Sequence, residues 1–150
     1  MSYDVYFLKR QPGQSWEATL EALEELEPLG ESDEPPYSAE FTAAWRRIVA
    51  AARERLGDLT EFDYELDDEV TGIQLAGAPD ECGLTVPYWH QGEEAERVMA
   101  HVFALAEVVE RETGLEGYDP QLDKSISELT EADRRAAVER FAATSATMLR

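Results

Sequence analysis

Five acids crowd the seven residues from Asp63 to Glu69: Asp63, Glu65, Asp67, Asp68 and Glu69. Carboxylates at this density are the ligand type that calcium takes, but an EF-hand loop needs Gly at its sixth position and Glu at its twelfth. Counted from Asp63, those positions hold Asp68 and Gln74, so no EF-hand is expected and no metal is assigned. Besides a carboxylate site outside the EF-hand pattern, two uses remain for the run. It is a solvated edge that keeps a strand from pairing with other chains, or it is part of a surface for a basic partner.

Softer chemistry is confined to Cys82, His90 and His101. Zinc wants three or four ligands at characteristic spacings, and neither C-x-x-C nor H-x-x-x-H occurs. Cys82 and His90 flank an extended stretch whose ends lie roughly 25 Å apart, too far for a nucleophile and its base. Cys82 therefore reads as a bystander thiol in a loop. Phosphate-binding patterns (G-x-G-x-x-G, G-x-x-x-x-G-K-[ST]) and the G-x-S-x-G elbow are missing from the sequence. No cofactor and no catalytic residue are assigned.

Tyr88, Trp89 and His90 form an aromatic group at the end of that stretch. In a strand, Tyr88 and His90 point to one side and Trp89 to the other. Either Trp89 fills the core with Tyr88 at its rim, or the pair anchors a protein-binding patch, where Trp and Tyr carry disproportionate energy. The partner-binding set that follows is Asp63, Glu65, Asp67, Asp68, Glu69, Asp80, Glu81, Tyr88 and Trp89. As an alternative, His90 and Asp119, each at a strand end, are candidates for acid–base work in a small enzyme or ligand-binding domain.

The elements that must hold these residues can be read from periodicity and punctuation. Tyr3 to Lys9 carries Val5 and Phe7 on one face and Tyr6 and Leu8 on the other, the pattern of a central strand covered on both sides. Ser15 is an N-cap for a short helix with Trp16, Leu20, Leu23 and Leu26 on one face. Residues 28–37, PLGESDEPPY, read as an acidic, mobile connector. Ser38 caps a second helix, with Phe41, Trp45, Ile48, Ala52 and Leu56 inward and Gly57 at its end. Glu61 to Leu66 alternates Phe62, Tyr64 and Leu66 with acids, and Val70 to Ala76 continues as its pairing strand. A hairpin-type loop, Gly77 to Gly83, leads into a strand from Leu84 to Trp89.

The helix Glu93–Thr113 is the best punctuated. Glu93 and Glu94 occupy its first turn, Ala95, Val98, Met99, Val102, Ala106 and Val109 form one stripe, and Gly114 suits the left-handed position past its end. Leu115 to Tyr118 is a short strand stopped by Asp119-Pro120. Residues 128–149 hold a last helix opened by the Thr130/Asp133 capping pair, with Val138, Phe141, Ser145 and Met148 on one face. The order β-α-α-β-β-α-β-α predicts a single α+β domain over 1–150, two layers deep. Its sheet is mostly antiparallel with helices packed on it, on a ferredoxin-like split βαβ plan. Pro87 fits that plan only at a bulge or at the end of pairing.

At 150 residues and 43% hydrophobic, one domain suffices to bury ~70% of the surface the unfolded chain exposes. The single Cys82 rules out an internal disulfide framework. No apolar run is long enough to span a bilayer, and MSYDVYFLKR lacks the signature of a secretory signal, so a cytoplasmic protein is expected. The net charge is −20, which argues against nucleic acid and anionic membrane as partners. From Leu56 to Glu96 there are twelve acids and no base, while arginines gather at Arg46–Arg55 and Arg134–Arg140. A face of one sign steers basic partners. Eleven Arg, two Lys and no Asn also fit a coding bias that yields acidic proteins wholesale, and acidity would then serve solubility alone.

The segments SYDVYFLKRQPGQSWE, TGIQL, LTVPYWH and ERETGLEGYDPQL resemble a family of small bacterial α/β proteins of unassigned function. Its members open on an M-S-Y-D strand and close their core with an ETGL-x-x-YDPQ segment. The resemblance reaches about Leu122 and implies no catalytic residue. In size and charge the chain is also similar to immunity partners of polymorphic toxins, which implies a protein-binding module occluding a basic partner.

Overall fold

Alternation along the first strand decides the architecture. In the computed structural model, which describes residues 2–25, 37–78 and 81–148, β1 (Ser2–Leu8) turns Tyr3, Val5 and Phe7 into a closed core. Fully burying side chains of this kind stabilises the fold by about 1.5–3 kcal/mol each. Its alternate residues Asp4 and Tyr6 face the opposite side, which is largely open.

Around β1 lie β2 (Thr60–Phe62), β3 (Glu65–Asp67), β4 (Gln74–Ala78), β5 (Glu81–Pro87), β6 (Glu116–Asp119) and β7 (Lys124–Ser125). They form one seven-stranded sheet in the order β2-β3-β4-β5-β1-β6-β7. Every ladder among the described residues is antiparallel. The fold is thus the expected α+β sheet with helices packed on it. Both neighbours of β1 run against it, and the central run β6-β1-β5-β4 is the antiparallel order of the expected split βαβ plan, extended by β3 and β2 at one edge and β7 at the other.

The helices are α1 (Trp16–Glu25), α2 (Ala39–Leu56), α3 (Gly92–Thr113) and α4 (Glu131–Met148), with a 3-10 turn at Ile126–Glu128 before the last. Helices α2, α3 and α4 share one continuous core with the inner side of the sheet. The Ser38 side chain accepts from Phe41 N at the start of α2. Gly114 ends α3 at φ 74° with its N–H on the Glu110 carbonyl. Thr130 and Asp133 form the reciprocal capping pair that opens α4. On α4, Phe141 and Ser145 are buried, Val138 is half-buried and Met148 is exposed.

Helix α1 lies on the other side of the sheet, at one corner only. Trp16 stacks on Tyr118 at 4.7 Å between centroids and donates its indole N–H to Ser125 Oγ at 2.8 Å. This covers Leu8. The expectation that β1 is covered on both faces holds for Leu8 and not for Tyr6, which is 40% exposed. A ten-residue helix is about 15 Å long, too short to roof a seven-stranded sheet.

Other expectations shift by a turn. Glu61–Leu66 is two strands, because Asp63 adopts φ 51° and folds β2 back onto β3. Cys82 is a buried core residue of β5, facing Phe7 and Gly77, and not a loop thiol. Pro87 is the last residue of β5, where pairing ends. Apart from Tyr37, the connector expected at 28–37 lies outside the described residues. Tyr37 itself stacks on Tyr64 and donates to the Gly77 carbonyl at 3.0 Å.

Candidate protein-binding face

Strand register assembles the open side of the sheet residue by residue. One cross-strand row runs Thr60, Asp67, Gln74, Thr85, Asp4. The next runs Phe62, Glu65, Ala76, Gly83, Tyr6, Tyr118. Glu81 stands opposite Leu8 in the row beyond. The middle of this face is therefore floored by small residues, with Phe62, 70% exposed, toward one edge and Tyr6 toward the other. Its charged members Asp4, Glu65, Asp67 and Glu81 are all acids, and Asp63 sits at the β2–β3 turn beside them.

At the α1 corner of this side Arg10 lies over the Trp16 ring at 4.6 Å and pairs with Glu116 at 2.5 Å; the other paired bases lie elsewhere. Arg46 and Arg53 of α2 reach Glu61 at 3.4 and 3.3 Å. Arg47 and Arg111 hold Glu112, Arg134 reaches Glu107 at 2.7 Å, and Lys124 meets Asp133 at 3.1 Å. Two guanidinium donors hold the Glu112 carboxyl below its ordinary range. Glu61 is the exception to segregation near the second hairpin, because its parity turns it toward the helices. Among the described residues, none of Asp63, Glu65, Asp67, Glu69 and Glu81 takes part in an ion pair.

One corner of the face is built rather than merely exposed. Asp68, which sequence reasoning grouped with the partner-binding acids, is buried and turned inward. Its carboxylate accepts from Val70 N at 3.4 Å, from Thr71 N at 3.2 Å and from the Thr71 hydroxyl. From beneath, buried His90 donates Nε2–H to the Thr71 carbonyl at 2.7 Å and sets Nδ1 against Glu94 at 2.9 Å. The turn so fixed displays Glu69 and Val70, the latter 82% exposed, beside Trp89. Trp89 is itself 55% exposed, so it does not fill the core. Tyr88 is half-buried on the helix side, its ring 5.5 Å from that of Phe141, and is not part of the open face. Asp80 lies outside the described residues.

Asp119 and His90 belong to separate networks. Asp119 is fully buried and accepts from the Tyr3 hydroxyl, from Gln121 N at 2.9 Å, from Gln121 Nε2 at 2.6 Å and from Leu122 N at 3.2 Å. Gln121 in turn pairs with the backbone of Asp4 at 3.0 and 2.9 Å, continuing the β1 edge past the end of β6. Burial, then the bond to Asp119, pushes the Tyr3 hydroxyl far above its ordinary range. Fully buried, with both oxygens engaged, Asp119 shapes a turn; among the described residues no hydrogen bond joins it to His90. Sequence reasoning missed Gln74, Thr85, Phe62 and Tyr6 as members of the face. The period-two pattern contains them, but only the ladder register shows which of two sides stays uncovered.

Among the described residues no group of three or more His, Cys, Asp or Glu is placed to hold a metal ion, and no helix is long and apolar enough to cross a membrane. No family model, curated protein or solved structure matches the chain.

Proposed function

We propose that this protein is a binding module of the immunity or inhibitor type, working in the cytoplasm, whose open sheet face covers a cationic protein. The observation that carries this reading is the coincidence on one face of unpaired acids with exposed Phe62 and Trp89. The acids would raise the encounter rate, and the aromatic side chains would supply the short-range energy that slows dissociation. The mechanism is occlusion, with no bond made or broken. Nucleic acid is a poor fit to the same face, since its phosphates would meet carboxylates.

Affinity capture from a host extract at moderate salt tests this, with Glu65→Gln/Asp67→Asn/Glu69→Gln as the comparison. The expected result is a basic protein retained by the unaltered chain and lost by the triple variant. Retention of no basic protein, or equal retention by the variant, contradicts the reading.

A further inference from the structure

At the corner where β3, β4 and β5 meet the Asp68–Thr71 turn, a groove of about 380 Å³ opens between the ring of Trp89 and the acids Asp67 and Glu69. Pro87, Thr85 and Gln74 line it further, with Ser2, Asp68 and Gly72. We propose that this groove takes one arginine side chain of a protein partner, stacked on Trp89 with its guanidinium turned to Asp67 and Glu69. The assignment rests on the reading of the open face as a protein-binding surface and names the chemistry that face recognises.

Three features carry it. The aromatic wall is fixed: Gly72 sits at φ 81°, and a Cβ there would come within 2.8 Å of Trp89 Cζ3 and 2.5 Å of Pro87 Cγ. One edge of the ring therefore rests against backbone, which restricts it before any ligand arrives and lowers the ordering cost of binding. Charge is uncompensated, because neither Asp67 nor Glu69 has a cationic partner among the described residues, and no Lys or Arg lines the groove. Finally, one aromatic plane beside carboxylates and the side-chain amide and hydroxyl of Gln74 and Thr85 suits a planar fork of donors. Guanidinium stacks on an indole face and bonds carboxylate in its own plane, which an ammonium does not do. A second copy of this chain, with its charge of −20, brings the wrong sign to the same place.

Titration of the protein with a capped glycine–arginine–glycine peptide, followed by amide and indole NMR, tests the proposal. Saturable shifts are expected at the Trp89 indole N–H and at the amides of Gln74 and Thr85. The citrulline peptide should leave these signals unmoved, and the lysine peptide should bind more weakly. Trp89→Ala should weaken binding by roughly two- to thirtyfold, and Asp67→Asn, which keeps the side-chain shape, should also weaken it. Shifts that fail to saturate, that appear equally with citrulline or lysine, or that survive both substitutions overturn the assignment. So does a concentration-dependent dimer that abolishes peptide binding. Capture of a basic protein by the open face without arginine binding refutes the groove alone. Arginine binding with no such capture supports the groove and refutes the broader reading.

Discussion

The ring of Trp89 lies across Gly72, so close that a methyl group on Gly72 would stand 2.8 Å from Cζ3 of the indole. Gly72 also adopts φ 81°, a region that residues with a Cβ enter at a cost of about 1–2 kcal/mol. Gly72→Ala is therefore expected to lower unfolding free energy by about 1–3 kcal/mol and to shift the Trp89 indole resonance. Urea unfolding with NMR of the indole region checks both; an unchanged indole signal would mean the ring is not held by this contact.

Tyr3 and Asp119 close the core beneath the same end of β1. Tyr3→Phe removes a donor from a fully buried carboxylate, and a buried acceptor left short of a partner costs about 1–3 kcal/mol. Asp119→Ala should cost more, because the Gln121 and Leu122 amides lose their acceptor together. Denaturant unfolding of both variants is the check, with Asp119→Ala expected to be the less stable of the two.

Burial pushes the Cys82 thiol up to about 11. The folded protein therefore holds this proton over a range in which the unfolded chain has released it, so stability falls as pH rises from the ordinary thiol value of 9.0 toward about 11. The difference in stability between the unaltered protein and Cys82→Ala should shrink in favour of the variant across that window. At pH 8 a thiol reagent should label Cys82 rapidly in denaturant and slowly in the folded protein.

Desolvation raises the Glu110 carboxyl above its ordinary range, with the bond from Gly117 N at 2.9 Å opposing it. The folded state then binds more protons than the unfolded one as this group titrates, and its contribution to stability declines as pH rises from the ordinary glutamate value upward. Glu110→Gln keeps an acceptor for Gly117 and removes the titration. Its stability profile between pH 4 and 7 should fall less steeply than that of the unaltered protein.

Much of the fold is legible in the residues because local signals agree there with tertiary demand. Ser38, Gly114 and the Thr130/Asp133 pair each satisfy backbone groups that a helix end leaves open, and all three stand where the pattern puts them. The strands are less legible. A left-handed Asp63 splits one expected strand in two, and alternation alone does not say that α1 covers Leu8 and spares Tyr6. The candidate face divides the same way. Asp67 and Trp89 could be singled out by type, whereas Asp68 carries the same charge and spends it inside its own turn. Which carboxylate is free is a matter of hydrogen bonding, and a string of acids does not encode it.

The central claim is that position on the open face, and not acidity as such, recruits a cationic partner. Asp67→Lys on the open face and Glu54→Lys on an exposed turn of α2 change the net charge equally. Affinity for the captured basic protein, measured for both at the same ionic strength, is the direct comparison. A loss of at least about tenfold for Asp67→Lys, with Glu54→Lys close to the unaltered protein, is the expected result. Equal losses for the two would contradict it and leave the acidity without a site.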